Sequence, residues 1–225
     1  MAELILGIDD AGRGPVIGPM VLAGCLIDEE TEKEFKKEGV KDSKQLTQKR
    51  REFLAEKIKS SAITFEIVLA YPDEIDGKNH DGINLNALEA IKMAEVINKI
   101  NKGFAKIKVV VDCPSVGIEK WRDFLKIQIK NLSNLEVICE HKADVNHIAV
   151  SAASILAKCT REIEMAKLKE QYGNEIGSGY CSDPTTCNFL KNHAQTHSDK
   201  GIFRKTWSTW KDACSVAEQK KLFSV

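Results

Sequence analysis

The chain has 225 residues, of which 43% are hydrophobic and 29% are charged, a composition typical of one large globular domain with a sizeable core. Its 33 basic residues balance its 33 acidic residues, so the net charge by itself indicates neither a nucleic acid nor any other charged partner. No apolar run approaches the roughly 18 residues of a membrane-spanning helix. Asp9 and Asp10 interrupt the N-terminal apolar run, so no signal peptide is expected. Seven cysteines without a CxxC pair indicate reduced thiols in a cytoplasmic protein and give no zinc site.

Charge is unevenly distributed along the chain. Residues 28–38 are mainly acidic, whereas residues 41–61 and 191–221 each hold seven Lys or Arg and three acidic residues. Two separated basic segments could frame a groove for a polyanion. Solvated helix faces explain the same pattern equally well, so charge alone decides nothing.

Hydrophobic periodicity predicts strands that alternate with helices. Strands are expected at residues 4–8, 20–27, 63–70, 107–111 and 135–139. Helices are expected within 28–38, at 47–60 with Thr47 as the N-cap, and at 83–102, 118–129 and 149–171, with a polar loop at 73–82. Beyond residue 180 the sequence is polar and helical. The alternation favours an α/β sheet that helices cover on both faces.

Two predicted strands run directly into carboxylates. Asp9 and Asp10 follow the first strand, and Asp112 follows the fourth. A carboxylate cannot stay charged inside a sheet without partners, so its expected place is the carboxyl edge, where α/β folds bind ligands. If the two strands are parallel neighbours, Asp9 and Asp112 face the same crevice. Because adjacent strand residues point to opposite faces, Asp10 can join them only if the chain leaves strand geometry there.

A further acid, Asp144, follows the fifth strand and comes just before the helix at 149–171. Carboxylates gathered within a few ångströms repel one another and are neutralised by cations. Oxygen-only ligands suit Mg²⁺ or Mn²⁺, and two such ions about 3.5–4 Å apart would activate both oxygens of an in-line phosphoryl displacement. Helix capping and surface ion pairing are the alternative roles for these acids, and Asp144 taken alone fits them equally well.

The motifs resemble those of type 2 ribonucleases H, the ribonuclease HII family, and in their compact length the archaeal members. The matching blocks run in register from residue 7 to about residue 210, and together they are highly specific. They are Gly-Ile-Asp-Asp-Ala-Gly-Arg-Gly-Pro at 7–15, Gly-Pro-Met at 18–20, Asp-Ser-Lys-Gln-Leu at 42–46, Val-Asp at 111–112, Lys-Ala-Asp at 142–144, Ser-Ala-Ala-Ser-Ile-Leu-Ala-Lys at 151–158, Gly-Ser-Gly-Tyr at 177–180 and Ser-Asp-Pro at 182–184.

The resemblance implies a ribonuclease H-like α/β fold with a mixed five-stranded sheet flanked by helices. It implies a catalytic domain at residues 1–172 and a C-terminal helical extension at 173–225 that contributes Tyr180. The implied enzyme is an endoribonuclease that uses Mg²⁺ or Mn²⁺. It hydrolyses the RNA strand of RNA–DNA hybrids and nicks duplex DNA at embedded ribonucleotides by two-metal-ion hydrolysis, leaving 5′-phosphates. A monomer is expected, with a sliding clamp as a candidate partner. The stretch at 220–223 is either a docking tail for such a partner or a helix end.

The resemblance assigns the family's functional positions to residues of this sequence. Asp9, Asp10, Asp112 and Asp144 match the family's metal-binding acids. Gly12, Arg13 and Gly14 match the loop that contacts the ribose 2′-hydroxyl, Tyr180 the tyrosine that stacks on the next deoxynucleotide, and Ser43 and Lys44 positions near backbone phosphates. The family usually has Glu where this chain has Asp10, a carboxylate one methylene shorter.

Two other classes of protein remain open on the residues alone. A phosphotransferase of the actin and hexokinase type also brings a Gly-Ile-Asp strand end to phosphate, but it requires an Asp-x-Gly-x-Thr turn and a duplicated domain, and residue 14 here is Gly. A non-catalytic nucleic-acid-binding module would instead be indifferent to the loss of Asp112.

Overall fold

The computed structural model describes residues 3–41 and 43–222, and it describes side chains up to residue 215. Asp42 and the side chains of the candidate docking tail at 220–223 therefore lie outside the described residues. Within the described part of the chain, no helix combines the length and the apolar character needed to cross a bilayer.

A mixed five-stranded sheet is present, and it confirms the expected sheet. The strands are β1 (Leu4–Ala11), β2 (Met20–Ile27), β3 (Thr64–Ala70), β4 (Ile107–Asp112) and β5 (Leu135–Glu140). Their order in the sheet is β3-β2-β1-β4-β5. β1 pairs with β2 in the antiparallel sense and with β4 in the parallel sense, and β4 pairs with β5 in parallel. The predicted neighbourhood of the first and fourth strands is thus confirmed.

β1 is longer than its hydrophobic pattern predicts. It continues through the two acids to Ala11, because Asp9, Asp10 and Ala11 pair with Ala23, Leu22 and Val21 of β2. A departure from strand geometry at Asp10 therefore does not occur. The hydrophobic pattern does not predict the end of β1, because pairing with the antiparallel strand β2 determines where β1 ends.

The described residues form nine α-helices, and the expected helical C-terminal region is confirmed. The N-cap prediction is also confirmed, since the Thr47 side chain accepts a hydrogen bond from the amide of Arg50. Apart from β1, the ends of the predicted elements differ from the observed ones by one or two residues. The helices are α1 (Glu29–Lys37), α2 (Gln48–Ser61), α3 (Pro72–His80), α4 (Leu85–Ile100), α5 (Ile118–Gln128), α6 (Ala143–Asn146), α7 (Ile148–Tyr172), α8 (Pro184–His193) and α9 (Ser208–Leu222).

The polar loop predicted at residues 73–82 is wrong, because α3 occupies most of this segment. Pro72 stands in the first turn, with Asp73 and Glu74 beside it, a helix-starting pattern that has no apolar stripe to reveal it. The buried Asp76 of α3 accepts hydrogen bonds from the amides of Lys205 and Thr206. A tertiary contact, invisible in local sequence, thus holds this helix.

The chain forms two compact units. The first contains the chain up to residue 11 together with residues 21–69 and 85–160, and the second contains residues 12–20, 70–84 and the chain from residue 161. In the first unit, alternate residues of β2 pack against α1, α2 and the small residues that begin α7. In the second, Val16 and Ile17 pack with side chains that include Phe189, Phe203 and Trp210. The expected functional division at residue 172 stays a prediction, and Tyr180 lies in a unit built from three segments of the chain.

Candidate active site

Parallel pairing of β1 with β4 brings Asp9 and Asp112 to the same level of the sheet. Ile8 pairs with Val111, so the next residue of each strand is an aspartate. Asp144 completes the cluster from α6, which follows β5. One carboxylate oxygen each from Asp9, Asp112 and Asp144 lies within 4.8 Å of the others. The convergence expected from the strand ends is therefore present in the structure.

A left-handed residue between β5 and α6 helps to set this geometry. Lys142 has φ 59°, the one non-glycine residue with a positive φ among those described. The next amide, that of Ala143, donates a hydrogen bond to Asp112 Oδ1 at 3.3 Å. The hydroxyl of Ser151 donates to the backbone carbonyl of Asp144 at 2.6 Å. Sequence analysis left Ser151 out, since its position within a small-residue helix indicated only close packing.

Asp9 is held by a short chain of hydroxyls. The side chain of Ser154 hydrogen-bonds the Asp9 carboxyl, and the amide of Asp10 donates to Asp9 Oδ1 at 2.8 Å. Ser43 Oγ lies 2.8 Å from Ser154 Oγ. When Asp9 is ionised, the one hydroxyl proton of Ser154 goes to its carboxylate, and Ser43 then donates to Ser154. Ser43 is fully buried, so its hydroxyl does not face a solvent-side phosphate.

Burial and mutual repulsion raise carboxyl pKa values in the cluster. Asp9 is 5% exposed, and its pKa is raised well above the ordinary value, first by burial and then by the charge of Asp10. Burial also raises the pKa of Asp112, with a smaller contribution from the charge of Asp144. The Lys44 ammonium lies 3.7 Å from Asp144 Oδ2, but its side chain is 74% exposed. A partly solvated lysine cannot neutralise three converging carboxylates.

The donor set fits a hard divalent cation. Three carboxylates, two of them buried, offer oxygen ligands to one point. The raised pKa values of Asp9 and Asp112 show that holding these two charges there without a cation is unfavourable. Oxygen ligands suit Mg²⁺ and Mn²⁺, whereas zinc prefers nitrogen and sulfur. Asp10 is not a member of this group of three among the described residues, since it occupies the next position of a continuous strand.

The second unit carries the predicted substrate residues Gly12, Arg13, Gly14 and Tyr180. Gly12 has φ 81°, and a Cβ there would lie 2.5 Å from Arg161 Cδ, so only glycine fits. The carbonyl of Gly179 accepts hydrogen bonds from the amides of Val16 and Ile17, which ties the two loops together.

Tyr180 itself is 43% exposed, and the guanidinium of Arg161 lies 5.4 Å from its ring centroid. An exposed ring backed by an arginine is available for stacking. Sequence analysis missed Arg161, because a buried arginine on a predicted helix has no local signal.

The fold and the acidic cluster define a metal-dependent endonuclease, a hydrolase of the ribonuclease H-like class. The sequence model of the family described as Ribonuclease HII matches residues 6–210. The chain belongs to the ribonuclease HII family.

Individual relatives agree with this assignment. The chain is 43% identical over 224 residues to the ribonuclease HII of Methanococcus maripaludis strain C7, covering 98% of this chain and 91% of the relative. The crystal structure of ribonuclease H2 from Pyrococcus horikoshii superposes with a TM-score of 0.83 at 40% identity, over 93% of this chain and 96% of that one. The ribonuclease HII of Archaeoglobus fulgidus, solved in complex with PCNA, gives a TM-score of 0.79 at 37% identity, over 91% and 95% of the two chains.

Proposed function

We propose that this protein hydrolyses the RNA strand of RNA–DNA hybrids and nicks duplex DNA at embedded ribonucleotides, by a two-metal-ion mechanism that leaves 5′-phosphates. The observation that carries the proposal is the convergence of Asp9, Asp112 and Asp144 within 4.8 Å. Membership of the ribonuclease HII family supports the choice of substrate.

Asp9, Asp112 and Asp144 are the proposed ligands, with Asp10 as a fourth. Two Mg²⁺ or Mn²⁺ ions bound there would activate the attacking water and stabilise charge on the scissile phosphate. Ser154 and the Asp10 amide orient the Asp9 carboxylate, and the Ala143 amide orients that of Asp112. Such supporting hydrogen bonds are worth about 10- to 100-fold in metal affinity or activity.

Substrate recognition is assigned to residues outside the acidic cluster. Gly12, Arg13 and Gly14 are proposed to contact the ribose 2′-hydroxyl, the group that distinguishes RNA from DNA. Tyr180 is proposed to stack on the following deoxynucleotide. The exposed Lys44 is proposed to contact a backbone phosphate. The Ser43 hydroxyl is buried against Ser154, so Ser43 is proposed to support the position of Lys44 rather than to contact a phosphate through its side chain.

We also propose that the protein acts as a monomer in the cytoplasm, in DNA replication and repair. The PCNA complex of the Archaeoglobus fulgidus relative supports a sliding clamp as a candidate partner.

Nicking of a DNA duplex that contains one ribonucleotide tests the proposal. We expect cleavage at that position with Mg²⁺ or Mn²⁺, and a loss of at least about 100-fold in Asp112→Asn with duplex binding retained. Asp123→Asn, which changes an exposed acid on α5, is the matched control and should cleave like the unsubstituted protein.

If the folded protein cleaves neither this duplex nor an RNA–DNA hybrid, with Mg²⁺ or with Mn²⁺, the proposal is refuted. Full cleavage by Asp112→Asn would refute the assigned mechanism, whereas duplex binding without any cleavage by the unsubstituted protein would favour a binding module.

A further inference from the structure

Four backbone carbonyls of the loop at residues 12–18, here called the ribose loop, accept hydrogen bonds from two side chains of the C-terminal region. Arg204 donates from Nη2 to Gly12 O at 2.6 Å, from Nη1 to Arg13 O at 2.8 Å, and from Nε to Gly18 O at 3.1 Å. Trp207 donates from Nε1 to Gly14 O at 3.1 Å. The carbonyls of three successive residues, 12, 13 and 14, therefore turn toward these two side chains.

Arg204 is fully buried, and its guanidinium lies 5.0 Å from the ring centroid of Trp207. The backbone beside it is paired as well: the amide of Arg204 donates to Val16 O at 2.8 Å, and that of Gly18 donates to Ile202 O at 3.0 Å. A charged group at such depth needs acceptors, and the loop carbonyls supply them. The buried arginine thus needs the loop carbonyls as acceptors, and the loop carbonyls need the arginine as their donor.

The hydrogen bonds that Arg204 donates to the loop carbonyls fix the direction of the neighbouring amides. In a trans peptide the C=O and the following N–H point in opposite directions, and no cis peptide occurs in the described chain. When Gly12 O and Arg13 O point toward Arg204, the N–H groups of Arg13 and Gly14 point away from it. Gly14 is exposed, and a Cβ added there would meet no atom within 4 Å. The side of the ribose loop that faces away from Arg204 therefore presents amide donors.

We propose that Arg204 and Trp207 are positioning residues for ribonucleotide recognition: they hold the ribose loop with its carbonyls inward, so that its amides meet the oxygen of a ribose 2′-hydroxyl. The inference deepens the proposed function and rests on the role assigned there to residues 12–14. It gives a specific use to two residues that lie 186 to 193 positions from the loop in the sequence.

Lysine cannot replace Arg204 in this role. The guanidinium is a planar fork whose donors leave from three nitrogens, and here all three reach loop carbonyls. An ammonium group keeps the charge but presents its donors from one atom, so it cannot serve carbonyls on separate residues in the same way. Charge alone therefore does not reproduce the loop geometry.

The test measures duplex binding in an Asp112→Asn background, where the substrate is not cut. Two duplexes differ only in one 2′-hydroxyl, and fluorescence anisotropy in Mg²⁺ gives a Kd for each. We expect Arg204→Lys to reduce the preference for the ribonucleotide, expressed as the ratio of the two Kd values, by about tenfold. Trp207→Phe, which keeps an aromatic ring and removes one donor, should reduce it by about threefold. Arg122→Lys and Trp210→Phe are the matched controls and should keep the parent ratio.

If Arg204 and Trp207 only stabilise the fold, their substitution lowers the folded fraction and raises the apparent Kd of both duplexes by the same factor. The ratio of the two Kd values then stays unchanged. An unchanged ratio in both folded variants overturns the inference. If Arg204→Lys does not fold, Trp207→Phe decides by the same ratio. A parent that shows no preference at all overturns the role of the ribose loop and this inference with it, whereas failure of nicking by the unsubstituted protein overturns the proposed function separately.

Discussion

At the scale of a single residue, Asp9 shows how the acidic cluster lowers the free energy of unfolding. Burial, then the neighbouring charge of Asp10, raises its pKa well above the ordinary carboxyl value. Between the unfolded-state pKa and the raised folded-state pKa, the folded protein binds more protons than the unfolded chain. The free energy of unfolding therefore falls as the pH rises through that interval, and it stays reduced above it. Without a cation, the ionised cluster destabilises the fold.

Asp9→Asn should accordingly stabilise the metal-free protein at pH 8, because it removes the carboxylate that resists ionisation in the buried site. The urea midpoint of the variant should lie above that of the unsubstituted protein at pH 8. The difference should shrink as the pH is lowered, because below the ordinary carboxyl pKa the unsubstituted Asp9 is protonated in both states. Urea titrations at several pH values in a chelating buffer measure both effects.

Mn²⁺ should reverse this order of stability. A ligand present at 100 times its Kd stabilises the folded state by about 2.7 kcal/mol, and only the unsubstituted protein keeps the full set of acids. A lower midpoint for Asp9→Asn at pH 8 without metal would contradict this account of the raised pKa.

At the scale of elements, the close approach of α7 to β1 sets the geometry of the acids. A Cβ added to Gly7 would lie 2.1 Å from the carbonyl carbon of Ala149, a backbone atom that cannot move by itself. The small residues at the start of α7 permit this contact, and the same helix carries Ser151 and Ser154. The packing distance between helix and strand therefore determines whether these hydroxyls reach Asp144 and Asp9.

Gly7→Ala should lower the free energy of unfolding by about 3 kcal/mol, because α7 or β1 must shift to accept one methyl group. Chemical denaturation measures the loss, and nuclease activity should fall with it as the serines move. Gly77→Ala is the matched control, since a Cβ at Gly77 meets no atom within 4 Å. In helix α3 this change should raise stability by about 0.5–1 kcal/mol. Equal effects of the two substitutions would show that the contact at Gly7 does not constrain the fold.

Element type was predictable where one local force dominates. The five strands followed from apolar runs, and the Thr47 cap followed from a hydroxyl placed before a helical stretch. The end of β1 and the existence of α3 were not predictable, because an antiparallel partner sets the first and hydrogen bonds to residues 205 and 206 support the second. Local pattern carries no information about partners so distant in sequence.

At the scale of the whole molecule, the C-terminal region completes a unit that begins near the N-terminus. Val16 and Ile17 belong to a core whose other members include Phe189, Phe203 and Trp210. Residues 12–20 therefore depend for their burial on residues more than 150 positions later in the chain.

Truncation after Tyr172 should leave the ribose loop without its core and without Arg204 and Trp207. We expect trypsin to cut the shortened chain rapidly after Arg13, a bond that should resist in the full chain. Limited proteolysis followed by mass spectrometry identifies the cut. Equal resistance of the two chains at Arg13 would support residues 1–172 as a self-sufficient domain.

The sequence by itself determined the α/β class, the strands that end in acids, the family resemblance and the residues to examine, because periodicity and short motifs are local properties. Only the tertiary structure decided that Asp9, Asp112 and Asp144 converge while Asp10 continues a paired strand. Only it connected Ser154 to Asp9, and Arg204 to the carbonyls of the ribose loop. The reason is physical: a buried polar group must find its partner in space, and the chain supplies that partner from any distance along the sequence.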